Sequence, residues 1–150
     1  MEPGTLAVSG GVGAGVRMGS LLDAGGGYMV FTGMGEYAFK KSLSGVADLS
    51  LGLGRAWPLR IHAGGRYRLS DLELPVSPYA QVQLSYGKLY NVLNATLTYL
   101  GLRAGVGADY FLTANLGVGG LAAIDLGRSL SDRPAFYGVV DLFLYASYTF

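Results

Sequence analysis

Along most of the chain, apolar residues alternate with small or polar ones. A strand separates such a two-residue period onto opposite faces, whereas a helix scatters it around its circumference. In the first segment Leu6, Val8, Val12, Ala14, Val16 and Met18 share one parity; Thr5, Ala7, Ser9, Gly11, Gly13, Gly15 and Arg17 hold the other. A later segment repeats this with Leu100, Leu102, Ala104, Val106, Ala108 and Tyr110 against Gly101, Arg103, Gly105, Gly107 and Asp109. Followed through the chain, the pattern predicts strands at about 5–19, 28–39, 46–57, 60–69, 78–87, 100–112, 116–127 and 137–150. These lengths suit tilted membrane-crossing strands of roughly 9–11 residues.

The connections are expected to alternate in length. Short turns are predicted at Lys40–Gly45 and Thr113–Asn115, and longer loops after strands 1, 5 and 7, among them Gly87–Tyr99 and Arg128–Phe136. Two places fit this less well: the short link around Trp57-Pro58-Leu59 and the long one at Ser70–Ser77. The stretch Tyr90 to Leu100 is apolar for an exposed loop, and reads either as an extension of strands 5 and 6 or as an apolar tip. Strands 2, 4, 6 and 8 all run toward the same end. They finish on outward-parity aromatics: Tyr37 and Phe39, Tyr67, Tyr110, then Tyr148 and Phe150. Aromatic residues gathered at one level are what a membrane interface selects, and a soluble sandwich has no reason to place them so.

Composition narrows the fold further. Hydrophobic residues make up 51% of the chain, glycine numbers 25, and charged residues are 14%, against roughly 25% charged in an ordinary soluble domain. Such a chain suits a membrane, yet glycine or a polar residue interrupts every run that approaches the roughly 18 apolar residues of a spanning helix. Only helices and closed barrels satisfy every backbone hydrogen bond in lipid. The expected fold is therefore all-β: one domain over 1–150 forming an eight-stranded antiparallel up-and-down transmembrane β-barrel. A soluble β-sandwich is the remaining alternative. The net charge of +1, with Lys40–Lys41 the one adjacent basic pair, argues against nucleic acid as a partner. The chain has no cysteine, which excludes disulfides and thiolate chemistry. Met1-Glu2-Pro3-Gly4 lacks both regions of a signal peptide, so an exported mature form is expected.

The candidate chemistry lies on the inward parity. That face carries Arg17, Glu36, Asp48, Arg66, Arg68, Arg103, Asp109, Asp125 and Asp141, with His62, Gln81 and Gln83, while Arg55 is the outward exception. Eight strands enclose a lumen just wide enough for side chains to fill, and charges facing it must be paired. One set, Arg17, Arg103, Asp125 and Asp141, is expected near the outer end, with Arg17 against Asp141 and Arg103 against Asp125. Glu36, Asp48, Arg66, Arg68 and Asp109 are expected near the other end, with Asp48 facing Arg66. This is either a structural plug or the gate of a channel. Inward glycines such as Gly11, Gly64, Gly107 and Gly119 are expected to leave room for long arginines or for a thin file of water.

Other motifs yield little. Gly117-Val118-Gly119-Gly120-Leu121-Ala122 matches a dinucleotide-binding G-x-G-x-x-A in letters, but it lies inside an alternating strand with no helix after it. His62 is the one histidine, which rules out multi-histidine zinc sites. As a catalytic base it needs a serine and a carboxylate; Ser50 and Ser85 are predicted on the strands beside it. No metal or cofactor is expected.

Three stretches resemble a known group. Gly105 to Leu116 (GVGADYFLTANL) resembles a glycine-rich strand ending in aromatics and a short periplasmic turn, and Leu74 to Tyr79 (LPVSPY) resembles the entry to a fifth strand. Leu142 to Phe150 (LFLYASYTF) is similar to the terminal signal, ending in Phe150, that the barrel-assembly machinery reads. The group is the small eight-stranded outer-membrane barrels of Gram-negative bacteria, OmpA-, OmpX- and OmpW-like proteins. The resemblance implies a bacterial outer-membrane location, contact with outer-membrane lipid, assembly through the C-terminal strand, and a surface or envelope protein as partner. Members include anchors, adhesins, narrow channels and lipid A-modifying enzymes. The enzymes' His, Ser and acidic motifs do not appear here, and with no peptidoglycan-binding domain after Phe150 an OmpA-type anchor is not expected. The preferred expectation is a non-enzymatic barrel with a salt-bridged, largely plugged lumen, serving envelope structure or surface-loop interaction. Its competitor is a narrow channel or transporter for small or hydrophobic solutes, and a lipid-active hydrolase is the third class.

Overall fold

The computed structural model describes residues 2–18, 26–54, 57–69, 75–92, 95–130 and 135–150. These form β1 (Leu6–Met18), β2 (Gly27–Lys40), β3 (Leu43–Leu53), β4 (Trp57–Arg68), β5 (Val76–Val92), β6 (Ala95–Phe111), β7 (Leu116–Ser129) and β8 (Phe136–Thr149). Each strand pairs antiparallel with the next, and β8 returns to β1, closing the barrel. Closure leaves no unpaired edge, which is the condition for a sheet to cross lipid.

The register fixes the tilt. Val8 pairs with Gly35, Gly35 with Ala47, Ala47 with Ala63, Ala63 with Leu84, Leu84 with Leu102, Leu102 with Leu126, and Leu126 with Gly138. Gly138 pairs with Met18, so one circuit climbs from Val8 to Met18 on β1. With a rise of ~3.3 Å per residue and strands ~4.8 Å apart, this slip tilts the strands by about 40°.

The two faces are inverted relative to a soluble protein. Val12, Phe31, Leu49, Ile61, Leu84, Leu102, Val106 and Leu144 stand exposed on the outside, while arginines, carboxylates and glutamines fill the inside. An apolar wall around a polar interior belongs in lipid, so the molecule is a membrane barrel. Arginine at Val106, which is 64% exposed on the outer wall, is expected to lower unfolding free energy in lipid vesicles by about 2–4 kcal/mol. At Leu130, beyond the end of β7, the same substitution should cost less than about 1 kcal/mol. Urea titration of the two variants checks the difference.

The strand ends depart from the sequence reading in three places. β3 begins three residues and ends four residues earlier than expected, and β4 begins three residues and ends one residue earlier, so Trp57-Pro58-Leu59 lies inside β4 and not in the link before it. Gly87–Tyr99 is not a long loop: β5 runs to Val92 and β6 starts at Ala95, so the apolar stretch extends the two strands. The expected alternation of short turns and long loops is correspondingly weak. The connections at the end holding the N-terminus (the turn end) span 41–42, 69–75 and 112–115; those at the opposite, loop end span 19–26, 54–56, 93–94 and 130–135. Gly117–Ala122 lies within β7, where no helix follows it to make a nucleotide site.

Tyr37, Phe39, Tyr67, Tyr110, Tyr148 and Phe150 all stand exposed on the outer face at the turn end. Tyr37 and Phe39 meet edge to face at 5.3 Å, as do Tyr148 and Phe150 at 5.0 Å. The C-terminus is tied into this level: the Phe150 amide donates to the Leu6 carbonyl at 2.9 Å, and the Asn115 side-chain amide donates to the Thr149 carbonyl at 2.7 Å.

Candidate functional site

Among the described residues, polar chemistry is concentrated in the lumen. Inward parity on successive strands brings Arg17, Arg60, Arg66, Arg68 and Arg103 together with Glu36, Asp48, Asp109, Asp125 and Asp141, and His62 lies among them; none is more than 6% exposed. Five guanidinium groups thus meet five carboxylates in a space closed to bulk water. Such charges are tolerated only where geometry and extra hydrogen bonds offset their desolvation.

Near the turn end, Glu36 of β2 accepts from Arg66 Nη1 at 2.8 Å, from Arg68 Nη2 at 2.8 Å and also from Arg68 Nη1 and the Ser44 hydroxyl. Arg68 Nη2 reaches on to Asp109 at 3.0 Å. Asp109 in turn accepts from the Tyr145 hydroxyl, which lies 2.8 Å from that of Tyr79. Arg66 also forks onto Gln81 Oε1, at 3.0 Å from Nε and 2.7 Å from Nη2, with its guanidinium 4.0 Å from the Tyr79 ring centroid. Gln81 donates to Gln83 at 2.8 Å, and Gln83 to Asp48 at 2.7 Å, which links this group to the next.

Higher up, Asp48 lies 2.6 Å from His62 Nδ1 and accepts from Arg103 Nη1 at 3.1 and 3.2 Å and from Ser50 at 3.2 Å. His62 Nε2 faces Asp125 at 3.4 Å, and the Ser85 hydroxyl donates to the same carboxylate oxygen at 2.8 Å. Arg60 Nη1 donates to Asp141 at 2.7 Å and stands 3.8 Å from Asp125. The Tyr28 hydroxyl donates to the other oxygen of Asp141 at 2.9 Å, and Arg17 lies 5.1 Å over the Tyr28 ring. Toward the loop end, Tyr99 and Tyr137 stack at 4.0 Å beside Leu89, with every one of these side chains buried.

The expected pairings are not the ones formed. Asp141 takes Arg60 and Tyr28, while Arg17 lies over an aromatic ring; Asp125 takes His62 and Ser85, and Arg103 crosses to Asp48. Asp48 therefore bonds His62, Arg103 and Gln83, and Arg66 turns to Glu36 and Gln81. Arg103 and Asp125 are direct cross-strand neighbours on β6 and β7. In a lumen this narrow a long guanidinium reaches strands on the far side, so pairing follows reach and not adjacency.

Arg60, absent from the expected inward set because it stands at the first residue of the predicted fourth strand, shares the parity of His62, Arg66 and Arg68 and is buried with them. The inward tyrosines are absent from that set too, and these explain the glycines. A Cβ on Gly15 or Gly52 would strike Tyr28, one on Gly107 would strike Tyr79, and one on Gly119 would strike Tyr145. The space expected for arginine or water is filled by aromatic rings. What remains includes two cavities of about 10 Å³, one lined by Glu36, Arg68, Asp109 and Tyr145, the other by Asp48, Arg103, Met34 and Tyr145. Each is about the size of one water molecule.

Chemically, this arrangement binds charges to one another. Both ring nitrogens of His62 face carboxylates, and Ser85, its cross-strand partner, donates to Asp125 and not to the imidazole. A nucleophile needs its base within hydrogen-bond reach. Among the described residues no cluster of histidine and acidic side chains is arranged to hold a metal ion.

No protein-family model matches the chain, and no curated protein matches its sequence. Solved structures do match its fold. Neisserial surface protein A (NspA) superposes with a TM-score of 0.78 over 97% of both chains at 17% identity. The N-terminal β-barrel domain of OprF from Pseudomonas aeruginosa gives 0.73 over the full length of both at 13% identity, and the attachment invasion locus protein Ail of Yersinia pestis gives 0.63 over the full length of both at 17%. The chain has the fold of the small eight-stranded outer-membrane β-barrels.

Proposed function

We propose that this protein is a non-enzymatic barrel of the bacterial outer membrane whose lumen is plugged, and which acts through its outer surface and loops on lipid and on envelope or surface partners. The observation that carries this reading is the filling of the lumen. Arg60, Arg66, Arg68 and Arg103 bond carboxylates across it from Asp109 to Asp141, Arg17 lies over the Tyr28 ring, tyrosines occupy the space above the glycines, and the cavities beside Tyr145 are water-sized. In this reading the aromatics from Tyr37 to Tyr148 sit at the inner membrane–water boundary, and the strand ending in Phe150 is the segment read by the assembly machinery. Solute release tests it. Liposomes carrying folded barrel are expected to retain a small trapped dye as long as empty liposomes do; rapid release would overturn the plugged reading.

A narrow channel is the second reading, favoured by the stacking of the two cavities with only Tyr145 lining both. In that case Asp48, Arg103, Asp125 and Asp141 form the gate, and dye release would require the network to rearrange.

A further inference from the structure

The extension of β5 and β7 beyond their predicted ends brings two cations to the outer wall. Lys88 on β5 and Arg128 on β7 are both exposed, on the parity opposite to the buried Gly87, Leu89 and Ser129. Lys88 pairs with Thr98 and Arg128 with Leu100, so the two flank β6 one outward row apart. Two strand spacings and one two-residue step separate their Cα atoms by on the order of 12 Å, which lets both side chains close on one group. The strand carboxylates Glu36, Asp48, Asp109, Asp125 and Asp141 all lie inside the lumen, so none faces this pair.

Below the pair, on the same strands, small residues leave a groove in the apolar wall. It has a volume of about 470 Å³ and is lined by Ala80, Val82, Ala104, Val106, Ala122 and Ile124. Apolar side chains such as Leu84, Leu102 and Leu126 stand between groove and cations. A cationic pair at the loop-end rim above an apolar groove is complementary to one kind of molecule, an amphiphile with an anionic head and an acyl chain. Arginine's planar fork can take a phosphate through two parallel hydrogen bonds, and basic residues at this level draw anionic headgroups.

We infer that Lys88 and Arg128 clamp the phosphate of a membrane lipid whose acyl chain lies down the β5–β7 groove. The inference rests on the membrane reading of the barrel, and its test is separable from that reading. Folded protein is exchanged into micelles doped with equal phosphatidylglycerol and phosphatidylcholine, and retained lipid is read by native mass spectrometry. The wild type is expected to retain phosphatidylglycerol about tenfold over phosphatidylcholine. The double variant Lys88→Gln/Arg128→Gln should fall to near parity, while Lys40→Gln/Lys41→Gln at the turn end keeps the preference. Ala104→Leu, which narrows the groove, should lower phosphatidylglycerol retention several-fold. Equal retention by wild type and the rim variant, or loss in the turn-end variant instead, would overturn the clamp. Displacement of the lipid by millimolar glycerol phosphate would also overturn it, since the site would then read a free phosphate. A heat-shifted gel band in each variant shows that the barrel itself stands.

Discussion

Replacing Glu36 by alanine should cost the barrel about 3–5 kcal/mol of unfolding free energy, the cost of removing one partner from a buried ion pair. Glu36 is the acceptor on which both Arg66 and Arg68 converge, with the Ser44 hydroxyl added. Without it, Arg68 retains Asp109 and Arg66 retains the neutral Gln81, so two buried cations share one nearby carboxylate. Neither can reach water, since both are no more than 5% exposed. The double variant Glu36→Ala/Arg66→Met removes one charge of each sign and should recover at least half of the loss, because an apolar replacement of a buried pair is often close to neutral. Urea unfolding in phospholipid vesicles measures both. If Glu36→Ala alone costs under about 1 kcal/mol, these charges are solvated and the lumen is wetter than the hydrogen bonds imply.

Valine at Gly64 should cost about 3 kcal/mol and slow the appearance of the heat-modifiable band. Gly64 is on the inward parity of β4, and a Cβ built there meets the Val82 carbonyl and comes within 2.6 Å of Gln83 Cα. Both are backbone of the neighbouring strand β5, so no side chain can turn aside to make room. Overpacking that must shift backbone costs at the upper end of the usual 1–3 kcal/mol range. Gly33, by contrast, has nothing within 4 Å of the position its Cβ would take. Gly33→Val is therefore expected to change stability by less than about 0.5 kcal/mol, and the pair separates crowding from the general cost of replacing glycine.

The barrel was legible because a two-residue period records directly which side chains face which way, and the same parity sorted the lumen. Arg17, Glu36, Asp48, Arg66, Arg103, Asp109, Asp125 and Asp141 are all buried there. The bonding within the lumen was not legible. Partners such as Arg103 and Asp48 come from β6 and β3, which share no register, and only the closed barrel brings them together. Arg60 escaped notice because Trp57-Pro58-Leu59 looks like a turn, yet β4 runs through it. Lys88 and Arg128 escaped because the predicted fifth and seventh strands stop one residue short of them, at 87 and 127, whereas β5 runs on to Val92 and β7 to Ser129. Tyr28, Tyr79, Tyr99 and Tyr145 were readable by parity, but their role depends on the glycines they cover, which only packing reveals. The fold is shared with NspA, OprF and Ail at 13–17% identity, and a fold hosts many functions. In this chain the features that bear on function are the content of its lumen and its loop-end rim.

Single-channel recording of the refolded barrel in planar bilayers tests the plugged lumen most directly. The Arg60–Asp141, Asp48–His62–Asp125 and Glu36–Arg68–Asp109 contacts predict a silent bilayer after insertion has been verified by heat modifiability. Discrete conductance steps from the wild-type protein, growing when Arg103 or Asp141 is replaced by alanine, would contradict the account and make the same network a gate.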